Sequence, residues 1–363
     1  MLRMTKEKER KMRFIHISDV FLGYVPDEGK DWSKDRAKEI EETFLRVLAD
    51  CNEKQVQLLL IAGNLFAAPP TTEQLDWLDE KLCTLEHTRT LLIGGSADYI
   101  APGSPMESYE FRSKTVVFPR EKTTNAYLKG VNTCVTGYSY GQPEHRENIL
   151  DTIGPGRESA YNILLANGGD QDHMPFHKDI IARKGYDYVA MGGSRKPVHM
   201  LKNRMAFSGS PEPLSVKDQG KHGYVLGDMT EQGVKITWCP IARRQYIRFT
   251  FELRPDISGD DLTTLAEEKM MKMGYENIYS IVMRGFASES LKPDFTRLRK
   301  RFNIYEIDDQ TLSAREQEVL RSENEANLIG GFIRDISENY SVDEKIREKA
   351  NRYGLEALIR AGE

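Results

Sequence analysis

The sequence is short of the features that most quickly classify a protein. Its four cysteines, Cys51, Cys83, Cys134 and Cys239, lie far apart with no paired spacing. That excludes a disulfide frame or a zinc knuckle and fits reduced thiols packed as small apolar groups. No apolar run approaches the ~20 residues a helix needs to cross a bilayer. The leading residues MLRMTKEKERKM are charged where a signal peptide would be apolar, so a flexible basic tail over residues 1–12 of a cytoplasmic protein is expected. Charge of one sign is also lacking. The 51 Lys and Arg nearly balance 56 Asp and Glu, and no global positive field advertises nucleic acid, although a local basic patch could still hold phosphate. There is no internal repeat or low-complexity segment, and no Gly-x-Ser-x-Gly elbow, Walker loop or Cys–His pairing that would supply a nucleophile.

What the sequence does contain is a repeated unit of apolar strand followed by a small polar turn. Phe14, Ile15 and Ile17 run into Ser18-Asp19, Leu58 to Ile61 into Ala62-Gly63-Asn64, and Leu91 to Ile93 into Gly94-Gly95-Ser96. Ile163 to Leu165 runs into Ala166-Asn167-Gly168, and Tyr188 to Met191 into Gly192-Gly193-Ser194-Arg195. Open α/β sheets place ligands at the carboxyl ends of their strands, so these five loops are expected to meet on one rim. Ile40, Phe44, Val47, Leu48 and Cys51 recur at helical spacing and predict a helix over Ser33 to Lys54. A Thr71/Gln74 capping box opens a second helix carrying Leu75, Leu78, Leu82 and Leu85. Val116-Val117-Phe118 and Val131 to Val135 read as antiparallel strands of a second sheet, and the glycine-punctuated stretch Val198 to Ile241 adds further strands. The fold class is therefore α/β, a two-sheet α/β sandwich over residues 13–242.

Beyond it, QYIRFTFEL alternates strictly, with Ile247, Phe249, Phe251 and Leu253 on one face. With a helix over Gly259 to Met273 and a strand over Ile278 to Met283 it predicts a small α/β domain over 243–311. Residues 312–363 read as helices, with a Ser341/Glu344 capping box.

Taken together, HISDVFLG, LLLIAGNLF, GGSADYIAPGS, DYVAMGGSRKP and AFSGSPEPLS resemble the calcineurin-like metallophosphoesterases, and within them the SbcD-type DNA repair exonucleases. The resemblance covers nearly the whole chain, including ENEANLIGGFI near its end. It implies a phosphoesterase sandwich with a small capping domain, and a metal-dependent phosphodiesterase or exonuclease activity using two Mn ions. It also implies a homodimer, DNA as a partner, and a coiled-coil ATPase of the SbcC type engaged by C-terminal helices.

The ligand positions depart from that pattern. Asp19 is retained, but Phe21 stands for the histidine of Asp-x-His and Asn64 for the bridging aspartate, with Ala67 in place of that motif's second aspartate. Ser96 and Ala97 replace the Asn-His pair, Asn167 the lone histidine, and Gly193 and Arg195 the two histidines of the last motif. Water-activating metal sites draw on imidazole and carboxylate donors, and a two-metal centre needs an anionic bridge. No catalytic residue, metal or other cofactor is therefore expected. The expected function is a DNA-binding or scaffold subunit without the two-metal centre. An unusual mononuclear phosphoesterase and a regulatory pseudoenzyme holding a small anion near Arg195 are the alternatives. A direct Asp19–Arg195 ion pair filling the vacated metal position is a further expectation.

Three other groups bear on function. His173 and His177, beside Asp170, Asp172 and Asp179, have a metal-like spacing but flank Pro175 and read as a solvated loop before a helix. Arg297, Arg299, Lys300 and Arg301 read as a solvated helix face, with phosphate contact as the alternative. Leu328, Ile329, Phe332 and Ile333 have the spacing of a partner-binding helix. His16, His145 and His199 read as packing or surface residues.

Overall fold

A computed structural model gives the structure of the chain. It describes residues 12–156, 161–254, 256–288, 291–312 and 328–337, with scattered positions over 343–354. The chain divides into two compact units, Met1–Gln245 and Tyr246–Glu363.

In the first unit the elements are β1 (Met12–Ile17), α1 (Ser33–Glu53), β2 (Leu58–Ala62), α2 (Thr72–Leu82), β3 (Arg89–Ile93), α3 (Pro105–Ser108), β4 (Thr115–Val117), β5 (Thr124–Leu128), β6 (Thr133–Gly137), β7 (Tyr161–Asn167), α4 (Lys178–Ala182), β8 (Tyr188–Gly192), β9 (Val198–Leu201), β10 (Met205–Phe207), β11 (Gly223–Thr230) and β12 (Gly233–Pro240). They build two six-stranded sheets, ordered β12-β11-β1-β2-β3-β4 and β5-β6-β7-β8-β10-β9.

The strand β1 shows why the sheets stack. Successive side chains point to opposite faces, so Phe14 enters the layer between the sheets with Leu58, Leu60, Ile163, Leu165 and Tyr188, while Ile15 and Ile17 face outward. There they meet Ile40, Phe44 and Val47 of α1 and Leu75 and Leu78 of α2. A third cluster, including Leu150, Leu164, Ile181 and Val189, covers the outer face of the second sheet. The Thr71 cap is reciprocal, with Gln74 N donating to Thr71 Oγ1 at 3.3 Å and Thr71 N to Gln74 Oε1 at 2.9 Å. This is the two-sheet α/β sandwich that the sequence leads one to expect.

One assignment is corrected. Val116 and Val117 belong to the first sheet, where β4 runs parallel to β3 with Leu91 opposite Val116, and Phe118 N donates to Leu92 O at 2.9 Å. The segment after β3 is a crossover that returns the chain to the same edge, which single-run composition does not reveal. The antiparallel pair of the second sheet is β5 with β6, and β6 itself runs parallel to β7.

In the second unit β13 (Tyr246–Leu253), β14 (Ile278–Phe286) and β15 (Asn303–Leu312) form a parallel sheet in that order, joined by α5 (Gly259–Met273) and α6 (Phe295–Arg299), and α7 spans Leu328–Ser337. Phe249, Tyr279, Ile281, Ala266, Met270 and Leu298 make its own core. The tail over residues 1–11, the Ser341/Glu344 capping box and the side chains of Leu328, Ile329 and Ile333 lie outside the described residues.

Candidate functional site

The rim is built by loops that bind one another through their backbones. Asp19 N donates to Gly63 O at 3.1 Å, Phe21 N to Asn64 O at 3.1 Å and Leu22 N to Leu65 O at 2.8 Å, so the loops after β1 and β2 run side by side. Asp19, Phe21 and Asn64 all adopt left-handed backbone conformations, with φ of 54°, 56° and 54°. These are uncommon for residues with a side chain and mark a turn held by its surroundings. The loop after β3 approaches closely enough that a Cβ on Gly95 would lie 2.3 Å from Asn64 Oδ1, so only glycine fits there.

Asp19 is 2% exposed, and its carboxylate is fully engaged by neutral donors. Asn64 Nδ2 donates to Oδ1 at 2.8 Å and the backbone N of Gly193 to Oδ2 at 3.0 Å. Asn64 is fixed in turn, because its Oδ1 accepts from Ala97 N at 2.9 Å. Burial pushes the Asp19 carboxyl above the usual carboxylate range, opposed by hydrogen bonds from Ser18, Asn64 and Gly193 and by the charge of Arg195. Asn167 donates Nδ2 to Ala62 O at 2.7 Å, while its buried Oδ1 has no hydrogen-bond partner.

The expected Asp19–Arg195 ion pair is absent. Arg195 Nε lies 3.4 Å from Asp218 Oδ1 and its side chain is 40% exposed. Both of Asp19's oxygens already have close donors from Asn64 and Gly193, and the loop after β10 offers Arg195 a carboxylate that no rim motif contains. Phe21 packs beside the first-sheet core and lies edge-on to Tyr24 with centroids 6.4 Å apart. Ser96 is half-buried, and at Ala97 it is the backbone N–H that reaches the rim.

A residue the sequence reading passed over organises this region. Asp98 is fully buried and accepts four backbone N–H groups: Asn64 at 2.8 Å and Gly95 at 2.6 Å on Oδ1, Leu65 at 2.7 Å and Phe66 at 3.2 Å on Oδ2. It staples the β2 and β3 loops together. Burial raises its carboxyl to about 6 against those donors. The signal was present, since Asp98, with Gly95, is what the chain retains of the Gly-Asn-His-Asp frame.

Elsewhere, His173 bonds to Asp170 (2.7 Å) and His177 to Asp151 (2.6 Å), two separate exposed pairs ahead of α4. Among the described residues, no group of three or more His, Cys, Asp or Glu is arranged to hold a metal. His16 lies between the sheets with Nδ1 3.0 Å from the Tyr188 hydroxyl, and burial holds its imidazole down to about 3, so it is neutral. In the basic cluster, Arg297 and Arg301 both pair with Glu267, and Arg299 donates to Ile304 O at 3.0 Å. Lys300 alone of the four has no side-chain partner among the described residues.

No family model matches the chain. Its sequence is similar to that of the DNA double-strand break repair protein Mre11 of Methanopyrus kandleri, with 26% identity over 253 residues, 61% of this chain and 55% of that protein. The chain is a distant relative of a DNA-repair protein. It spans about half the length of the curated relative it matches. That match and the two-sheet sandwich together suggest the metallophosphoesterase superfamily, which includes DNA-repair nucleases.

Proposed function

We propose that this chain is an SbcD-like protein in which a hydrogen-bonded plug has replaced the two-metal centre, and that it serves as a DNA-binding or scaffold subunit. The observation that carries this reading is the 2.8 Å bond from Asn64 Nδ2 to Asp19 Oδ1. It sets a hydrogen where a metal ion would need a lone pair, at the position where a two-metal site needs an anionic bridge. The surrounding donors agree. Phe21 offers no lone pair, Gly193 offers only its backbone, and Arg195 is a cation already paired with Asp218. These residues do not fit two dications, and no hydrolytic step is routed through them. On the same reading, the second unit is a capping domain, the functional state is a cytoplasmic homodimer, and the partners are DNA and a coiled-coil ATPase. The test is manganese loading followed by a cleavage assay on single- and double-stranded DNA, with cleavage that disappears in Asp19→Ala as the contrary result.

A second reading has one observation in its favour. The buried, unpartnered Asn167 Oδ1 is an oxygen donor near Asp19, since a Cβ on Gly193 would lie 3.3 Å from it and Gly193 N contacts Asp19. A single hard cation held by these oxygens would support a mononuclear phosphoesterase. Elemental analysis showing a metal that is lost in Asp19→Ala would favour it. The small-anion reading is weakened by the pairing of Arg195 with Asp218.

A further inference from the structure

The sandwich has an opening at the end remote from the rim. A cavity of about 390 Å³ lies there between the starts of β2 and β3 in the first sheet and the end of β5 in the second. Leu58, His87, Arg89, Tyr127, Lys129 and Val131 are among the residues that line it. The volume falls within the range of ordinary small-ligand pockets. From Leu58 to Asn64 the chain advances six residues along a strand and its turn, so the cavity sits roughly 20 Å from the rim.

Two of its lining side chains are cations. Arg89 and Lys129 are exposed, and neither side chain has an ion-pair or hydrogen-bond partner among the described residues. In contrast, Arg297, Arg299 and Arg301 are engaged by Glu267 and a backbone carbonyl. Glu86 lies 3.8 Å from the exposed His87 of the lining. An aromatic residue lines the same cavity. Tyr127 is half-buried, and its hydroxyl donates to Asn132 Oδ1 at 3.0 Å, which fixes the ring at the cavity, with Leu58 and Val131 as apolar neighbours. Uncompensated cations beside an aromatic face form the combination that holds a phosphate and a planar base together. In a chain of net charge −5, this local balance is not the overall charge showing through.

We propose that this groove binds a nucleotide unit, its phosphate held by Arg89 and Lys129 and its base stacked on Tyr127, independently of the rim. The shared chemistry is a nucleoside phosphate, either free or as one unit of a single strand. The experiment is fluorescence anisotropy of a short labelled single-stranded oligonucleotide with the full chain, across a salt series and with a mononucleotide as competitor.

The double variant Arg89→Glu/Lys129→Glu should bind roughly tenfold or more weakly, as expected for the loss of two charge-assisted contacts. Its log–log salt slope should be shallower by about 1.4, since each phosphate contact on a single strand contributes about 0.7. Arg89→Gln and Lys129→Gln should each remove about half of that change in slope, and Lys196→Gln, at an exposed cation on the rim loop, should leave both affinity and slope unchanged. That last control separates this proposal from the reading of the rim. Displacement by the mononucleotide assigns a free nucleotide as ligand, and retention of the oligonucleotide assigns a strand. Wild-type affinity and slope in the double variant, at an unchanged melting temperature, would overturn the proposal, as would failure of the wild-type chain to bind either probe.

Discussion

Asn64 and Asp19, at the ends of adjacent parallel strands, are joined by an amide-to-carboxylate hydrogen bond of 2.8 Å inside a site closed to solvent. Replacing Asn64 by Asp would set two carboxylates against each other, and such a pair cannot ionise together in a buried site. The pair's raised pKa means that the folded state keeps a proton that the unfolded chain releases above about 4, so stability is lost as pH rises through that window. Asn64→Asp should therefore unfold with nearly wild-type stability at pH 4 and be about 2 kcal/mol less stable at pH 7.5. Equal urea midpoints at both pH values would contradict the geometry.

Asp98 gathers four backbone N–H groups from the β2 and β3 loops. An amide in its place offers one acceptor oxygen and turns an NH2 group toward donors, leaving buried N–H groups unsatisfied at a cost of about 3 kcal/mol. Asp98→Asn should lower the unfolding free energy by that amount in urea denaturation and increase hydrogen exchange at Asn64, Leu65 and Gly95. Unchanged exchange at those amides would mean the loops hold without it.

Arg36 and Glu212, both essentially inaccessible, form a buried ionic cluster with Glu39 and Arg244. The Arg36 guanidinium reaches Glu39 at 2.7 Å and Glu212 at 3.3 Å, and Glu212 also accepts the backbone N–H of Arg243 at 2.8 Å and of Arg244 at 3.1 Å. The segment that precedes β13 is thereby fixed to α1. Removing one partner of such a cluster strands the other charge, which typically costs 3–5 kcal/mol. Glu212→Ala should destabilise the first unit by about 3 kcal/mol in chemical denaturation, whereas Glu42→Ala, on the exposed side of the same helix, should change it by less than about 1 kcal/mol.

His16 sets an acid limit on the fold. Its imidazole titrates at about 3 when folded against about 6.5 when unfolded, so the stability it confers is complete above pH 6.5 and is lost as pH falls below that value. The slope is about 1.4 kcal/mol per pH unit while the folded form stays neutral. His16→Gln should flatten the fall in stability between pH 6.5 and 4.5 by about one proton's worth, and an identical slope in the variant would show that another group carries it. His222, also lowered by burial, leaves a residual acid dependence in both proteins.

Local patterns made much of this fold legible. The alternation of Phe14, Ile15 and Ile17, the 3.6-residue period of α1 and the Thr71/Gln74 box each follow from neighbours in sequence. The repeated strand-and-glycine turn was enough to expect five loops on one rim. What escaped depends on partners far along the chain. The sheet to which β4 belongs is decided by a crossover, and the cluster around Arg36 joins residues 176 apart. Arg195 was expected to turn toward Asp19 because the resemblance makes both of them ligands of one metal, but it pairs with Asp218, which lies outside every motif. The same holds for the cavity at Arg89 and Lys129, which exists only because β3 and β5 come from different sheets.

The measurement that tests the central claim most directly is the manganese content of the protein, purified without chelators, loaded with manganese and desalted. The plugged site predicts no manganese above the buffer level, in the wild-type chain and equally in Arg195→His, because Phe21, Asn64 and Gly193 still leave the centre short of donors. Stoichiometric manganese in the wild-type chain, abolished by Asp19→Ala, would contradict it.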